Sequence, residues 1–332
     1  MTERLAVVAM GFWHVHAPEY AAYAAEHPRT RLVAVWDDDI ERGTEAARNL
    51  GVPFEPDMRR ALALADAITL TSATTRHTEI ALAAVDAGIH VFAEKLLAPT
   101  VAECTAILDR GAETGARVQV SLPRLYDGST TTIVDTIASG VLGRISYARV
   151  RLSHHGATDG WLTDRFFDPA EAVGGALTDL GCHPVYLTQL FLGLDVSTVS
   201  ATYGRLTQRR VEDNAVVTLG YEDGRIGVCE TGFVTHADPF SIEVHGTDAA
   251  LRFAEGDPTV TLTQPGGVHT PLPIAGDSTS AFDQWVDHIV AGTSATDNLT
   301  RAVALTDVVS AANDAASTGT TRHLNARLRH HL

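Results

Sequence analysis

The chain has 332 residues, more than one ordinary hydrophobic core requires, so we expect two domains. A hydrophobic content of 45% and a charged content of 20% are typical of a globular protein and argue against intrinsic disorder. Acidic residues outnumber basic residues by 41 to 25, and the net charge of −16 argues against nucleic acids or anionic membrane surfaces as partners. No apolar run approaches the ~20 residues that a membrane span needs.

Short apolar runs alternate with segments of helical periodicity through the first third of the chain. Runs that are apolar on successive residues are typical of strands buried on both faces, and here they are "RLAVVAM", "RLVAVWD", "DAITLTSA", "HVFAEK" and "RVQVSL". The helical segments between them are "APEYAAYAAEH", "IERGTEAARNLG", "HTEIALAAVDAG" and "TVAECTAILDRGAETG". This alternation predicts an α/β fold with a doubly wound parallel sheet of the Rossmann type.

The pattern changes after about residue 123, where strands outnumber helices. A Gly-rich turn and a helix, "VGGALTDLGCHPVYLTQLFLG", precede the strand patterns "STVSATYGRL", "NAVVTLGYEDGRIGVCETGF", "FSIEVHG", "AALRFAEG" and "TVTLTQ". Asp223 and Gly224 separate two alternating runs and predict a two-residue hairpin. Two helices follow, near "AFDQWVDHIVAG" and "TRAVALTDVVSAAND". We therefore predict a dinucleotide-binding Rossmann domain over residues 1–123 and a C-terminal α/β domain with an open, mainly antiparallel sheet over residues 124–332.

The three cysteines, Cys104, Cys182 and Cys229, lie far apart and have no paired spacing. This spacing predicts neither a disulfide framework nor a zinc knuckle. A reduced, cytoplasmic setting is therefore expected.

The segment "AVVAMGFWHVHAPEY", residues 6–20, occupies the place of a glycine-rich phosphate loop. The pattern G-x-G-x-x-G would put glycines at positions 9, 11 and 14, where this chain has Ala9, Gly11 and His14. Gly11 is the glycine that lets the backbone approach a pyrophosphate. Because the loop follows a predicted strand and precedes a predicted helix, we expect it to bind a dinucleotide.

Acidic residues follow the second predicted strand in "LVAVWDDD". An acid about twenty residues beyond the loop is where a ribose diol is bound, which points to Asp37. Asp37 and Asp38 together would repel a ribose 2′-phosphate, so NAD is favoured over NADP. The alternative reading is that Asp37 only caps the helix "IERGTEAARN".

Two stretches carry groups suited to proton and charge chemistry. Lys95 ends the fourth predicted strand, at the carboxyl edge where ligands bind in open parallel sheets. Asp179 and His183 are four residues apart, so on one helix they would share a face. A neutral imidazole can accept the proton that a hydroxyl loses during hydride transfer, and a lysine can stabilise the developing alkoxide. Asp179 would hold the imidazole or accept from a sugar hydroxyl; simple packing is the alternative.

The order of these motifs resembles the glucose-fructose oxidoreductase / inositol dehydrogenase / rhizopine catabolism family, written Gfo/Idh/MocA. The matching stretches cover nearly the whole chain and are "TSATTRHTE", "GIHVFAEK", "SLPRLY", "GGALTDLGCH", "VEDNAVVTL" and "VHGTDAALRF". The most specific are Glu-Lys after a His-Val strand and Asp-x-Gly-x-His, found at Asp179, Gly181 and His183. The chain departs from the family at Leu96, where proline is usual, and at Pro123, as well as in the third glycine.

The resemblance implies an NAD-dependent oxidoreductase that acts on a secondary alcohol of a sugar, an inositol or a derivative. In the family the lysine and the histidine flank the reacting hydroxyl, which implies Lys95 and His183 as catalytic residues with Asp179 beside the substrate. The cofactor-binding residues implied are Gly11, Phe12, Trp13, Asp37, Asp38, Thr74, His77, Glu94 and Lys95. Assembly as a homodimer or homotetramer through the C-terminal sheet is also implied.

Substrate contacts are expected in the loop "HHGATDGWLTDRFFDP" and at the domain junction. Polar and aromatic side chains there suit a sugar ring, and the candidates are Arg124, His155, Trp161, Arg165 and Asp179. His154 and His155 would point to opposite faces of a strand, and no third ligand is evident, so no metal is predicted.

Two other functions remain open at this point. Some members of the family hold NAD tightly and use a transient oxidation to cleave a glycosidic bond. Related folds also serve as sugar or dinucleotide sensors without catalytic groups, although Lys95, Asp179 and His183 are all present here.

Overall fold

The computed structural model describes residues 4–237 and 239–324, which form two compact units. The first unit extends to residue 121 and also includes residues 280–306. The second unit contains residues 122–279 and the chain from residue 307 onward. The sequence pattern predicts residues 280–306 as part of the second domain, whereas the structure places them in the first unit. Helical periodicity does not reveal which unit a helix packs on. The ends of the two predicted domains, residues 1–3 and 325–332, lie outside the described residues.

The first unit is built on a parallel sheet, as predicted. In the described residues it has five strands in the order β2-β1-β3-β4-β5. The strands are β1 Leu5–Met10, β2 Thr30–Trp36, β3 Ala67–Leu70, β4 His90–Ala93 and β5 Val118–Val120. The helices that connect them are α1 Ala17–Glu26, α2 Ile40–Leu50, α3 Met58–Leu62, α4 His77–Asp86 and α5 Val101–Thr114. Most of the strand residues are buried, which explains their continuous apolar runs.

Local sequence signals determine where these helices begin and end. Asp39 caps α2 by accepting hydrogen bonds from two backbone N–H groups at 3.0 Å, so the alternative reading of Asp37 as this cap is wrong. Thr100 caps α5 by accepting a hydrogen bond from the backbone N–H of Glu103 at 3.2 Å. Gly51 and Gly115 end α2 and α5 with positive φ angles, a conformation that glycine adopts without steric cost.

The strand order reverses on either side of β1, which has β2 on one side and β3 on the other. Chain segments leave the carboxyl ends of β1 and β3 in opposite directions at such a point and open a crevice there. The glycine loop follows β1, and the Ser72 segment follows β3. The fold therefore places both segments where open α/β sheets bind ligands.

The second unit contains the mainly antiparallel sheet that the sequence predicts. Within the described residues the strand order is β13-β12-β11-β10-β6-β9-β8-β7-β14, and only the β6–β9 pair is parallel. The strands are β6 Ile145–Ser153, β7 Val196–Gly204, β8 Asn214–Tyr221, β9 Ile226–Gly232, β10 Phe240–Gly246, β11 Ala250–Ala254, β12 Thr259–Gln264, β13 Val268–Pro273 and β14 Arg322–His323. The predicted Asp223-Gly224 hairpin joins β8 to β9.

The helices beyond residue 121 include a short one at Pro169–Ala172 that was not predicted, and one predicted helix is divided in two. They are α6 Gly128–Ala138, α7 Pro169–Ala172, α8 Ala176–Asp179, α9 Cys182–Leu192, α10 Ala281–Ala291 and α11 Thr296–Thr318. The stretch predicted as one helix through Asp179 and His183 is divided into α8, which ends at Asp179, and α9, whose first turn contains His183. None of the described helices combines the length and the apolar character needed to cross a membrane.

Candidate active site

The loop after β1 requires glycine at position 11. Gly11 has a φ of 93°, and a Cβ atom built there would lie 2.5 Å from the backbone N and Cα of Ser72. The Gly11 N–H donates to the Trp36 carbonyl at 2.8 Å, and its own carbonyl accepts from the Thr71 hydroxyl at 2.6 Å. The loop is thus tied to the ends of β2 and β3, and its backbone conformation is fixed.

Ser72 lies directly opposite Gly11 and was not singled out by the sequence. Its hydroxyl oxygen is buried and has no hydrogen-bond partner among the described residues. A buried hydroxyl without a partner is costly in a folded protein unless a ligand or water supplies one. This orphaned polar atom beside the glycine loop fits a polar ligand such as a dinucleotide.

The acids after β2 have different environments. Asp37 is 2% exposed, and each of its oxygens accepts two hydrogen bonds. Its donors are the backbone N–H groups of Phe12 and Asp39 and the Arg42 guanidinium. The donors saturate the carboxylate, which holds the glycine loop to the end of β2.

Asp38 is the accessible acid of the pair, with a side chain that is 31% exposed. It lies 2.8 Å from the Arg42 guanidinium and 3.3 Å from that of Arg76. Partial burial and the neighbouring Asp37 raise the pKa of the Asp38 carboxyl, while the two arginines oppose that rise. Two cationic side chains therefore converge on one acid at this edge of the sheet.

Glu94 and Lys95 form a buried ion pair at the carboxyl end of β4. The distance from Lys95 Nζ to Glu94 Oε1 is 2.9 Å, and the exposed fractions of the two side chains are 2% and 1%. The other carboxylate oxygen accepts from the Tyr20 hydroxyl and lies 3.3 Å from His16 Nδ1. His14 Nε2 lies 3.5 Å from Lys95 Nζ. The predicted site residue Lys95 is thus held in a fixed, water-poor position.

Electrostatics in this cluster favour an ionised Glu94. Burial by itself would raise the pKa of the carboxyl, but Lys95, His14 and His16 outweigh burial and hold that pKa well below its usual range. Burial and the Glu94 carboxylate raise the pKa of Tyr20, which stays protonated and donates its hydrogen. His16 and Tyr20 were not among the predicted site residues. His16 immediately precedes α1, and Tyr20 follows it by four residues, about one helical turn. Both side chains therefore reach Glu94 from the start of this helix.

The remaining predicted cofactor residues of the first unit lie near the same edge. Phe12 is half-buried and packs on the core that contains Val35, and Trp13 is buried. Thr74 is also buried and begins a short 3-10 turn. His77 is enclosed between two carbonyl oxygens, with Nδ1 at 2.8 Å from Leu96 O and Nε2 at 3.1 Å from Ser72 O. Burial lowers the pKa of His77, and the neutral ring can donate its single N–H to only one of these two carbonyls.

In the second unit, Asp179 ends α8 and His183 lies in the first turn of α9. His183 is 5% exposed, and its Nδ1 lies 2.7 Å from the hydroxyl of Tyr186. Asp179 is half-buried. Burial lowers the pKa of His154, and the nearby Asp179 carboxylate partly opposes that fall. Tyr186, one helical turn after His183, was not foreseen.

Glu212 fixes the chain segment that leads into α8. It is 4% exposed, and its carboxylate accepts from the backbone N–H groups of Gly175 and Leu177 at 3.0 Å. Burial raises the pKa of Glu212, and the backbone donors oppose that rise. A Cβ on Gly175 would lie 2.0 Å from the Glu212 carbonyl oxygen, so this glycine allows the close approach. The carboxylate therefore sets the start of the segment that carries Asp179 and His183.

Two of the predicted substrate residues have well-defined contacts. The Arg124 guanidinium donates to Asp127 at 3.2 Å and lies 4.3 Å above the ring of Phe240. Trp161 is 49% exposed and contacts the ring of His154 at 4.7 Å between centroids. Arg165 is half-buried in the same loop.

His155 has neighbours that the sequence did not reveal. The nitrogen and oxygen atoms of His155, Asp159 and His236 lie within 4.8 Å of one another. The rings of His155 and His236 are stacked, however, with centroids 4.3 Å apart and planes that differ by 12°. A metal ion lies close to the plane of each imidazole that binds it, so two stacked rings do not converge on one ion. The absence of a metal remains a prediction.

Comparison with known proteins identifies the family of this chain. Residues 4–122 match the family model described as "Oxidoreductase family, NAD-binding Rossmann fold", and residues 130–252 match "GFO/IDH/MocA C-terminal domain". The chain belongs to the Gfo/Idh/MocA family. It is therefore an oxidoreductase with an NAD-binding Rossmann domain, as the motif resemblance implied.

Named relatives of this Gfo/Idh/MocA protein include enzymes of polyol and sugar chemistry. It is 25% identical over 265 residues to scyllo-inositol 2-dehydrogenase (NAD(+)) of Bacillus subtilis (strain 168), which covers 75% of this chain and 72% of the relative. It is 28% identical over 252 residues to 1,5-anhydro-D-fructose reductase of Ensifer adhaerens, covering 71% and 72%. The crystal structure of GenD2 from gentamicin A biosynthesis, in complex with NAD, is similar with a TM-score of 0.83 and 26% identity, covering 98% and 97%.

Proposed function

We propose that the protein is an NAD-dependent dehydrogenase or reductase that transfers a hydride between nicotinamide and a secondary alcohol of a sugar, an inositol or a derivative. The observation that carries the proposal is the buried Lys95 ammonium at the carboxyl end of β4, held at 2.9 Å from Glu94. A fixed cation in a water-poor site stabilises a developing alkoxide far better than one in water does. The names of the inositol dehydrogenase and anhydrofructose reductase relatives support the substrate class.

The residues around the glycine loop fit a dinucleotide. Gly11 brings the backbone close to the end of β3. The buried Ser72 hydroxyl, which has no hydrogen-bond partner among the described residues, can donate to a ligand there. Asp38 presents an exposed carboxylate to a ribose, whereas the saturated Asp37 holds the loop in place. When bound, NAD supplies the hydride acceptor. The assignment of Phe12, Trp13, Thr74, His77 and Glu94 to the cofactor site remains part of this proposal.

The chain's own residues then handle the charge and the proton of the alcohol. Lys95 would donate a hydrogen bond to the substrate oxygen and stabilise negative charge on it. His183 would act on the same oxygen, since an imidazole can hold or release a proton near neutral pH. Asp179 would bind a neighbouring hydroxyl. Their joint action on one hydroxyl follows from the family resemblance and is part of the proposal.

We further propose that the sugar ring is contacted by Arg124, His155, Trp161, Arg165 and Asp179. The exposed Trp161 indole, resting on His154, supports this assignment because aromatic faces pack well on the C–H face of a sugar.

Assembly through the second sheet is also proposed, as a homodimer or homotetramer. One face of this sheet packs on α9, where Gly227 contacts Thr188. The opposite face carries Val216 and Ile226, which are 43% and 46% exposed. Exposed apolar side chains on a broad sheet suit an isologous contact. Light scattering coupled to size-exclusion chromatography would test this, and a monomer at all accessible concentrations would refute it. Cys104, Cys182 and Cys229 are buried and form no disulfide, which supports the proposed cytoplasmic location.

The hydride transfer is tested with a panel of sugars and inositols. We expect NADH to form with at least one of them, and a substrate deuterated at the carbinol carbon should transfer its deuterium to the NADH, as seen by mass spectrometry. Replacing His183 with Gln should slow the reaction in both directions by roughly 10²- to 10⁴-fold, because the amide cannot take up the proton. Absence of deuterium transfer from every substrate, or full activity in His183→Gln, would contradict the proposal.

A further inference from the structure

The hydroxyl of Tyr186 makes two hydrogen bonds in the second unit. It lies 2.7 Å from Nδ1 of His183 and 3.0 Å from the backbone N–H of Arg124. Tyr186 is 1% exposed and His183 is 5% exposed, so water does not replace either contact. The bond to Tyr186 from Arg124 joins α9 to the short turn Pro123–Leu125, whereas the bond to His183 lies within α9.

Counting hydrogens determines the direction of both bonds. The backbone N–H of Arg124 can only donate, so the Tyr186 oxygen accepts there. The phenol has one hydrogen of its own, and among the described residues the only other recorded partner of that oxygen is His183 Nδ1. The hydrogen therefore points to Nδ1, which must accept it. Burial raises the pKa of Tyr186 well above its usual range, so the phenol keeps this hydrogen.

We propose that Tyr186 is a positioning residue that holds neutral His183 in the tautomer with its proton on Nε2. The inference rests on the proposed function, in which His183 acts at the substrate oxygen. In this tautomer the neutral ring offers an N–H donor, not a lone pair, at Nε2.

The alternative tautomer has a defined cost. If Nδ1 carried the proton, it would donate to the Tyr186 oxygen, and the buried phenol hydrogen would lose its acceptor. Leaving a buried donor unsatisfied disfavours that tautomer by about 5- to 150-fold. His183 can take a hydroxyl proton at Nε2 only from this disfavoured tautomer. The Tyr186 contact therefore lowers the fraction of neutral His183 that can accept the hydroxyl proton by the same factor, and the proposed proton uptake proceeds from that fraction.

The tautomer is measured directly by nitrogen NMR of the histidine rings in the full-length protein with NAD, without any turnover. Each of the 15 histidines is labelled, and the signals of His183 are identified by their loss in His183→Gln. We expect the proton-bearing shift at Nε2 and the unprotonated, hydrogen-bonded shift at Nδ1. A proton-bearing Nδ1 in the neutral ring would overturn the inference.

A variant tests whether Tyr186 is the cause. Tyr186→Phe removes the donor to Nδ1, so we expect the Nδ1 shift to move toward that of an exposed histidine, which populates both tautomers. Tyr203→Phe is the matched control, because the Tyr203 hydroxyl donates to Asn313 at 2.6 Å, elsewhere in the same unit. The control should leave the His183 signals unchanged. An unchanged Nδ1 shift in Tyr186→Phe would also overturn the inference, and if that variant does not fold, the wild-type spectrum decides.

The outcomes separate this inference from the function on which it rests. A Nδ1–H tautomer in an active enzyme would refute the role of Tyr186 and leave the hydride transfer in place. An Nε2–H tautomer in a protein without hydride transfer would support the Tyr186 contact and refute the proposed function.

Discussion

Replacing Glu94 with Gln tests the ion pair that holds Lys95. The substitution keeps the shape of the side chain and one acceptor oxygen, but it removes the negative charge. In the variant the buried ammonium of Lys95 loses the carboxylate oxygen that lies 2.9 Å away in the wild type.

The expected size of the effect follows from the geometry. At 2.9 Å and an effective dielectric constant of ~20, the attraction between Glu94 and Lys95 is about 6 kcal/mol, before the cost of desolvation. Removing one partner of a buried pair typically costs about 3–5 kcal/mol, because the other charge remains buried. For a protein made of units of this size, that loss corresponds to a fall in Tm of roughly 6–20 °C.

Thermal unfolding followed by circular dichroism measures this difference. The matched control is Glu113→Gln, because Glu113 also lies 2.9 Å from a cation, Arg110, but on the surface. The control should leave Tm unchanged within error, since exposed ion pairs contribute little. Equal Tm values for the wild type and Glu94→Gln would refute the assignment of Glu94 as the anion that holds Lys95.

The pair of Glu94 and Lys95 also predicts how the stability of the protein changes with pH. The pKa of Glu94 is lower in the folded state than its usual value of 4.5, so the folded protein releases this proton more readily than the unfolded chain. The stabilisation is therefore complete above the unfolded value and is lost as the pH falls through the folded value. The difference in Tm between wild type and Glu94→Gln should shrink progressively in acid. A difference that grows below pH ~4 would contradict the sign of this shift.

Three further substitutions test the cofactor and catalytic assignments. Lys95→Ala should lower turnover by roughly 10²- to 10⁴-fold while NAD affinity, measured by calorimetry, changes only a few-fold; undiminished turnover would remove Lys95 from the chemistry. The wild type should show a higher kcat/KM with NAD than with NADP, and Asp38→Ser should narrow that preference, because the exposed carboxylate no longer repels a 2′-phosphate and Arg76 loses one of its two acidic partners. An unaltered ratio would show that Asp38 does not set the preference. Gly11→Ala should cost about 1–3 kcal/mol and weaken NAD binding, because the φ of 93° and the 2.5 Å approach exclude a Cβ; a fully stable variant would refute this.

The architecture could be predicted from the sequence because its signals are local. Continuous apolar runs separated by helical segments define the parallel sheet, and the Asp223-Gly224 turn defines a hairpin. The division between α8 and α9 could not be predicted in this way. Helical periodicity continues through Leu180 and Gly181, whose backbone angles remain helical although the hydrogen-bonding pattern is interrupted.

The candidate site could be predicted only in part. Motifs singled out Lys95 and His183, since each lies in a recognisable pattern. The partners of these residues come from distant parts of the chain, such as Tyr20 beside Glu94. Such partners are brought together by packing. They have no characteristic spacing in the sequence that would reveal them. The saturation of Asp37 is a further example, because only the structure reveals that Arg42 reaches back to it from α2.

The histidine that replaces the third glycine of the loop contacts the buried ion pair of Glu94 and Lys95. His14 stands at the third glycine position, and its ring is 5% exposed, 3.9 Å from Glu94 and 3.5 Å from Lys95. His14→Gly would restore the motif but leave a cavity beside the ion pair, at a cost of about 2–5 kcal/mol. We expect Tm to fall while NAD affinity stays within a few-fold, because Gly11 still sets the loop. His16→Gly is the control, since that ring is 34% exposed and its loss should lower Tm less. If His14→Gly is as stable as the wild type, the ring of His14 does not support the ion pair; a loss of stability greater than that of His16→Gly would show that it does.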